Sequence, residues 1–209
     1  MSQEPGALPA AMPGRPLSWS EAWLSAVTRP SVATYEELAR DPNATAGRAY
    51  LWIVVAAVIG AVVQSILFGA LSPGSAAFQG VAFLSLACYS IVGTVVAFFI
   101  NSVVTQGVAR ALDGTGTYSQ LAFALAAYIA PVSIAGSVLA FIPVLNLLVL
   151  LLVPYAIVLN VIAVKAVHQF SWGRAIGSSF VLILLLFALA CILLTVGLVL
   201  LGPAIVNEI

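Results

Sequence analysis

The side chains able to do chemistry are few in this chain, and they are scattered. Its single histidine, His168, stands near Lys165 with no carboxylate or second histidine beside it. That setting suits a loop side chain on the surface better than a general acid or base. Cys88 and Cys191 each sit alone in an apolar run, with no ligand-type residue at metal spacing, and read as inert buried thiols. No nucleophile adjoins a base, and neither an H-E-x-x-H pair nor a phosphate loop occurs. The sequence predicts a protein that is not an enzyme and that takes no metal or cofactor.

A second set of residues is polar but uncharged and embedded in apolar runs: Gln64, Asn101, Gln106, Asn146 and Asn160. Such groups either line a solute path or hydrogen-bond between helices, and the second use is the commoner. Pro131 and Pro154 each remove one backbone hydrogen bond from an apolar run, so each kinks a helix. Kinked helices can build transporter sites, but mostly they shape packing. Gly173 and Gly177 have the small-x-x-x-small spacing that lets two helix backbones approach closely.

The elements that position these residues follow from composition. The chain is 63% hydrophobic and 7% charged, against roughly 45–50% and 25% in an ordinary soluble domain. So much apolar side chain has lipid as its natural solvent. The zero formal net charge gives no reason to expect a nucleic-acid partner. Ionisable residues are missing from the middles of the apolar runs, which argues against a proton-coupled pump.

Residues 1–17, rich in Pro, Gly and Ala, read as a disordered tail without the features of a secretory signal. Residues 18–48 read as a cytoplasmic amphipathic segment. Ser18 and Glu21 form a capping box for a helix over 19–28, and Thr34 with Glu37 suggests a second short helix. Trp19 and Trp23 share one face of the first. They suit either the lipid headgroups or a docking surface on the protein's own helices.

Residues 49–209 read as five transmembrane helices: 49–71, 78–110, 118–141, 144–167 and 174–201. Ile142 and Pro143 allow only a tight turn between the third and fourth, which makes a helical hairpin. Every Lys and Arg then falls on one side: Arg15, Arg29, Arg40 and Arg48 before the first span, Arg110 after the second, and Lys165 and Arg174 around the fourth loop. The positive side faces the cytoplasm, so the N-terminus is cytoplasmic and the C-terminus outside. A re-entrant third and fourth helix, dipping in without crossing, satisfies the same charge pattern. The fold class is thus an all-α integral membrane protein, multi-pass, with the lipid bilayer as its first partner.

Several short stretches occur in a familiar order. They are Leu112-Asp113-Gly114-Thr115-Gly116-Thr117-Tyr118-Ser119-Gln120, then Ala127-Tyr128-Ile129-Ala130-Pro131, then Phe141-Ile142-Pro143-Val144-Leu145-Asn146. Tyr155, Lys165 to His168 and Arg174-Ala175 follow, and Trp23 to Arg29-Pro30 precedes them. Together they resemble the Yip domain family of Ypt/Rab-interacting-protein-like membrane proteins, in particular its prokaryotic members. The resemblance implies five membrane helices with a cytoplasmic N-terminus and, for a prokaryotic member, the plasma membrane. For eukaryotic relatives it implies vesicle traffic, membrane shaping and binding of small prenylated GTPases. This chain has no counterpart of their D-L-Y-G-P motif, so a GTPase partner does not carry over. A membrane-organising or partner-binding scaffold is the leading expectation, and a small-solute or lipid transporter using the kinked third and fourth helices is the alternative. Homo- or hetero-oligomers would form through the membrane helices.

Overall fold

The structure is a computed structural model that describes residues 15–71, 76–140, 145–181 and 184. Six helices are complete: α1 Trp19–Thr28, α2 Val32–Arg40, α3 Ala46–Leu71, α4 Ala76–Ala111, α5 Tyr118–Leu139 and α6 Asn146–His168. A final helix is described over 172–181, and no strand occurs among the described residues. Four stretches are long and apolar enough to cross a bilayer: Ala46–Ile66, Ala87–Ala111, Tyr118–Leu139 and Leu147–His168. Most of the expected fifth span, and Pro143 and Cys191, lie outside the described residues.

Local chemistry sets the helix starts. At α1 the Ser18 backbone N–H donates to Glu21 Oε2 (3.0 Å) while the Glu21 N–H donates to Ser18 Oγ (3.3 Å). These Ser18 contacts hold the Glu21 carboxyl below its ordinary pKa. Thr117 and Gln120 form the same reciprocal box at α5.

The second short helix starts earlier than the Thr34–Glu37 pattern suggests. Its N-cap is Ser31, which follows Pro30 in extended backbone and accepts from the Thr34 N–H at 3.1 Å. Thr34 is therefore the third helical residue of α2. At the other end of the chain, α6 includes His168 and stops at Gln169, whose left-handed backbone (φ 56°) turns the chain into a short link. The last helix restarts at Trp172, so the expected His168–Trp172 loop shrinks to 169–171.

The core forms around α5, which contacts α1, α2, α3, α4 and α6. Every residue from Leu121 to Tyr128 is buried. A helix at a surface buries one stripe; burial all round marks a central helix. Four of these residues and their neighbour Ala130 are alanines, which lets partners approach from several sides. Against this, α3, α4 and the lower part of α6 expose a belt that includes Val58, Val62, Ile66, Val96, Phe99, Leu147 and Leu151. Such a continuous apolar surface belongs against lipid.

Hydrogen bonds gather four helix ends at one pole. The Tyr118 hydroxyl bonds that of Tyr50 (2.7 Å) and that of Ser102 (3.0 Å), joining the starts of α3 and α5 to the end of α4. Gln106 Nε2 donates to the Gly116 carbonyl (3.1 Å), and the Gly116 N–H donates to His168 Nδ1 (3.2 Å), adding the end of α6. The short helices α1 and α2 attach at the same pole.

Candidate functional site

The candidate site is the hairpin of α1 and α2 together with the pole on which it sits. Its inner face holds Ala22, Ala26, Tyr35 and Leu38, all fully buried, whereas Glu21, Arg29, Glu37 and Arg40 are exposed on the outer side. A shallow groove along that outer side is lined by Arg15, Glu21, Arg29, Thr34 and Glu37. Within the hairpin, burial pushes the Tyr35 phenol's pKa up.

The two tryptophans of α1 pack on the protein's own helices. Trp23 and Trp19 each lie 5.9 Å from Trp52 of α3, at interplanar angles of 81° and 72°. Trp52 in turn packs on Phe123 of α5 at 4.7 Å, and the Arg48 guanidinium stands 5.2 Å over Trp52. Edge-on aromatic pairs and a cation over the ring are favourable geometries. The α1 tryptophans are thus engaged with the bundle, although Trp19 keeps an exposed edge.

Both ends of the hairpin are fastened by polar contacts. At its open end the buried Asp41 accepts from the Leu17 N–H (3.1 Å) and the Asn43 N–H (2.8 Å). Arg48 donates to the Leu17 carbonyl (2.8 Å) and lies 3.9 Å from Asp41. At its tip, two of the carbonyls that a helix leaves unpaired at its C-terminus find tyrosines. Tyr35 donates to the Ala26 carbonyl (3.2 Å), and Tyr155 of α6 donates to the Val27 carbonyl. Asp41 and Arg48 carried no site signal in the sequence beyond a turn and a charge, because their shared partner is a backbone segment far back in the chain.

His168 corrects the expectation of a surface loop residue. It closes α6, is 2% exposed, stacks on Phe170 at 5.4 Å and accepts from Gly116 through Nδ1. An imidazole accepting at Nδ1 carries its proton at Nε2, and that buried atom has no partner among the described residues. The 112–117 loop presses onto it. A Cβ on Gly114 would come within 2.7 Å of both the Ala109 carbonyl oxygen and His168 Nδ1. On Gly116 it would come within 2.6 Å of the Val167 carbonyl oxygen. Asp113, exposed and left-handed at φ 64°, makes the turn that leads into this contact. Lys165 donates to the Phe170 carbonyl (2.7 Å) and sits 5.1 Å over the Trp172 ring, tying the end of α6 to the final helix.

Elsewhere the predicted residues disperse. Tyr128 and Asn160 interact with each other and face a cavity between α4, α5, α6 and the final helix. Pro131 lies under α1 in a separate apolar pocket with Trp23, Val27 and Tyr155. Pro154 is exposed on α6, so the two prolines do not converge. Asn146 begins α6. Gly173 and Gly177 face open space, with nothing within 4 Å of a built Cβ, so the expected close approach does not occur among the described residues. The close approach that does occur pairs Gly60 of α3 with Ser137 of α5, at 3.0 Å from the built Cβ to Oγ. Cys88 is exposed on the apolar belt, where a buried thiol was expected. No cluster of three potential metal ligands occurs among the described residues.

A family model described as the Yip1 domain matches residues 24–193. No curated protein and no solved structure matches the chain.

Proposed function

The chain belongs to the Yip1 domain family, and from that premise we propose a non-enzymatic multispan membrane protein that organises the bilayer and its partners through the α1–α2 hairpin. The observation that supports this is the hairpin's placement. Its tip reaches Tyr155 and the pocket at Pro131, about 20 Å along α6 from His168 and along α5 from Tyr118 at roughly 1.5 Å per residue. Its outer face carries Glu21, Arg29 and Glu37, which do not enter hydrocarbon without large cost. Headgroups and water must therefore follow the hairpin down the side of the bundle, while the apolar belt of α3 and α4 keeps lipid high on the other side. A body that holds the two sides of one leaflet at different heights bends or thins the membrane around it.

Five spans, a cytoplasmic N-terminus and an outside C-terminus fit this reading, in the plasma membrane of a prokaryote. The basic residues supply the reason: the ends of α4 and α6 and the starts of α3 and α5 meet at one pole, with Arg48, Arg110 and Lys165 beside them. The exposed Gly173 and Gly177 are open to a neighbouring helix of the same chain or of a partner.

The hairpin's depth also favours a second reading for α5 and α6. Below its tip, each has only on the order of 15 Å of helix left, about half of a roughly 30 Å hydrocarbon core. A re-entrant pair would need no more. An Ile142→Cys variant labelled by an impermeant maleimide from the outer face supports full crossing; protection there with labelling elsewhere outside supports re-entry.

Reconstitution in giant vesicles drawn into tubes tests the organising role. The protein is expected to concentrate in the curved tube, and an Arg29→Leu/Glu37→Leu variant to lose that enrichment. Saturable flux of a defined solute that an Asn160 substitution abolishes would sink the proposal in favour of a transporter.

A further inference from the structure

The cavity at Tyr128 and Asn160 is unlike the rest of the membrane region. It measures about 530 Å³, within the roughly 300–1,000 Å³ of small-molecule sites. Six of its lining residues, Thr94, Asn101, Tyr128, Ser133, Asn160 and Ser179, bring hydrogen-bonding groups that are uncharged at neutral pH. Phe98, Val153 and Ile157 supply apolar wall between them. Contacts between α4 and α6 are sparse, and Val153, which lines the cavity, is exposed on α6.

The unmet capacity of the two carboxamides defines what fits. Asn160 Oδ1 already accepts from Ser179 (3.3 Å), and Asn101 Oδ1 from Thr105 (3.4 Å). Among the described residues the Asn101 NH₂ meets no acceptor, and the Asn160 NH₂, which faces the Tyr128 hydroxyl, keeps its second N–H as a donor towards the cavity. A ligand must therefore bring acceptors. Among the described residues no carboxylate or amine lines the cavity, so a charged headgroup would be stripped of water with no counter-charge. Carbonyl acceptors on an uncharged, hydrocarbon-tailed molecule meet every requirement.

We propose that this cavity binds an uncharged ester lipid of the diacylglycerol class, with its ester carbonyls accepting from Asn101 and Asn160. Its free hydroxyl meets Tyr128 or Ser133, and its acyl chains leave between α4 and α6. The inference does not depend on the hairpin's effect on the bilayer, and it stands whether α5 and α6 cross or re-enter.

The test uses the full chain in phosphatidylcholine nanodiscs with a diacylglycerol analogue carrying a diazirine near its glycerol. Labelled peptides are mapped by mass spectrometry. Labelling is expected within α4 and α6 near Asn101 and Asn160, saturating with mole fraction and competed by unlabelled diacylglycerol but not by phosphatidylglycerol. Asn101→Leu and Asn160→Leu, made singly, should each weaken it by about five-fold. Gln64→Leu, on an exposed part of α3, should leave it unchanged. Thermal melts confirm that each variant is folded, and Ser133→Ala replaces any that is not. Labelling that rises without saturation, that both lipids compete equally, or that ignores these substitutions would overturn the assignment. So would cross-linking of Asn101→Cys to a cysteine placed within residues 182–209, which would show the cavity filled by the chain itself.

Discussion

Among single residues, those that matter most here contact distant backbone. His168 has no informative neighbour in sequence; its partner, Gly116, lies 52 residues earlier. Nothing in a lone histidine after an apolar run signals that it accepts a backbone N–H in a buried joint. The glycines were legible as a turn, but their second role, close approach to α6, needed the tertiary structure. Replacing His168 with Leu leaves the Gly116 N–H without an acceptor, at a cost of about 1–3 kcal/mol. Asn at the same position retains an acceptor and should recover part of the loss. Gly116→Ala forces a methyl against the Val167 carbonyl and should cost about 1–3 kcal/mol by overpacking. Melting curves of the purified protein in detergent check all three, and an unchanged midpoint for His168→Leu would refute the joint.

Among the elements, caps and apolar length carried most of the fold. Ser18 with Glu21 placed α1 at its observed start, because a capping box is local chemistry, and the expected start of the third span at 118 coincides with the box that begins α5. The start of α2 was missed because two overlapping signals competed, and Ser31, the first residue free of Pro30, prevailed. How α1 and α2 pack was not legible, since amphipathicity gives a face and not its partner. Tyr155 is the example. It lies in an apolar run like any interfacial tyrosine, yet its hydroxyl caps the end of α1. Tyr155→Phe keeps the ring and removes that donor, a loss of about 1 kcal/mol and so roughly a five-fold rise in hairpin opening. Hydrogen exchange should rise across Ala22–Thr28 and stay unchanged in the centre of α5. Uniform exchange in both regions would mean that the contact does not hold the hairpin.

For the whole molecule, the decisive relation is the height of the hairpin against the height of the lipid. Composition revealed a multi-pass protein, because it is a sum over long stretches that no single contact can reverse. It says nothing of where along each helix the boundary runs. The structure relates heights through side chains: the α1 terminus meets Tyr155, and the exposed Arg29 follows it. On α4, Val96 faces outward in the apolar belt. If water follows the hairpin, a cysteine at Thr28 reacts quickly with an impermeant maleimide added from the cytoplasmic side. A cysteine at Val96 stays protected, because hydrocarbon keeps the thiol from ionising. The cysteine-free parent needs both Cys88 and Cys191 replaced, and the exposed Cys88 serves as a second lipid-side control when kept. Rapid labelling at Thr28 with protection at Val96 places the two faces of one protein in different solvents. Protection at both positions would put the hairpin in lipid and remove the basis for a tilted leaflet.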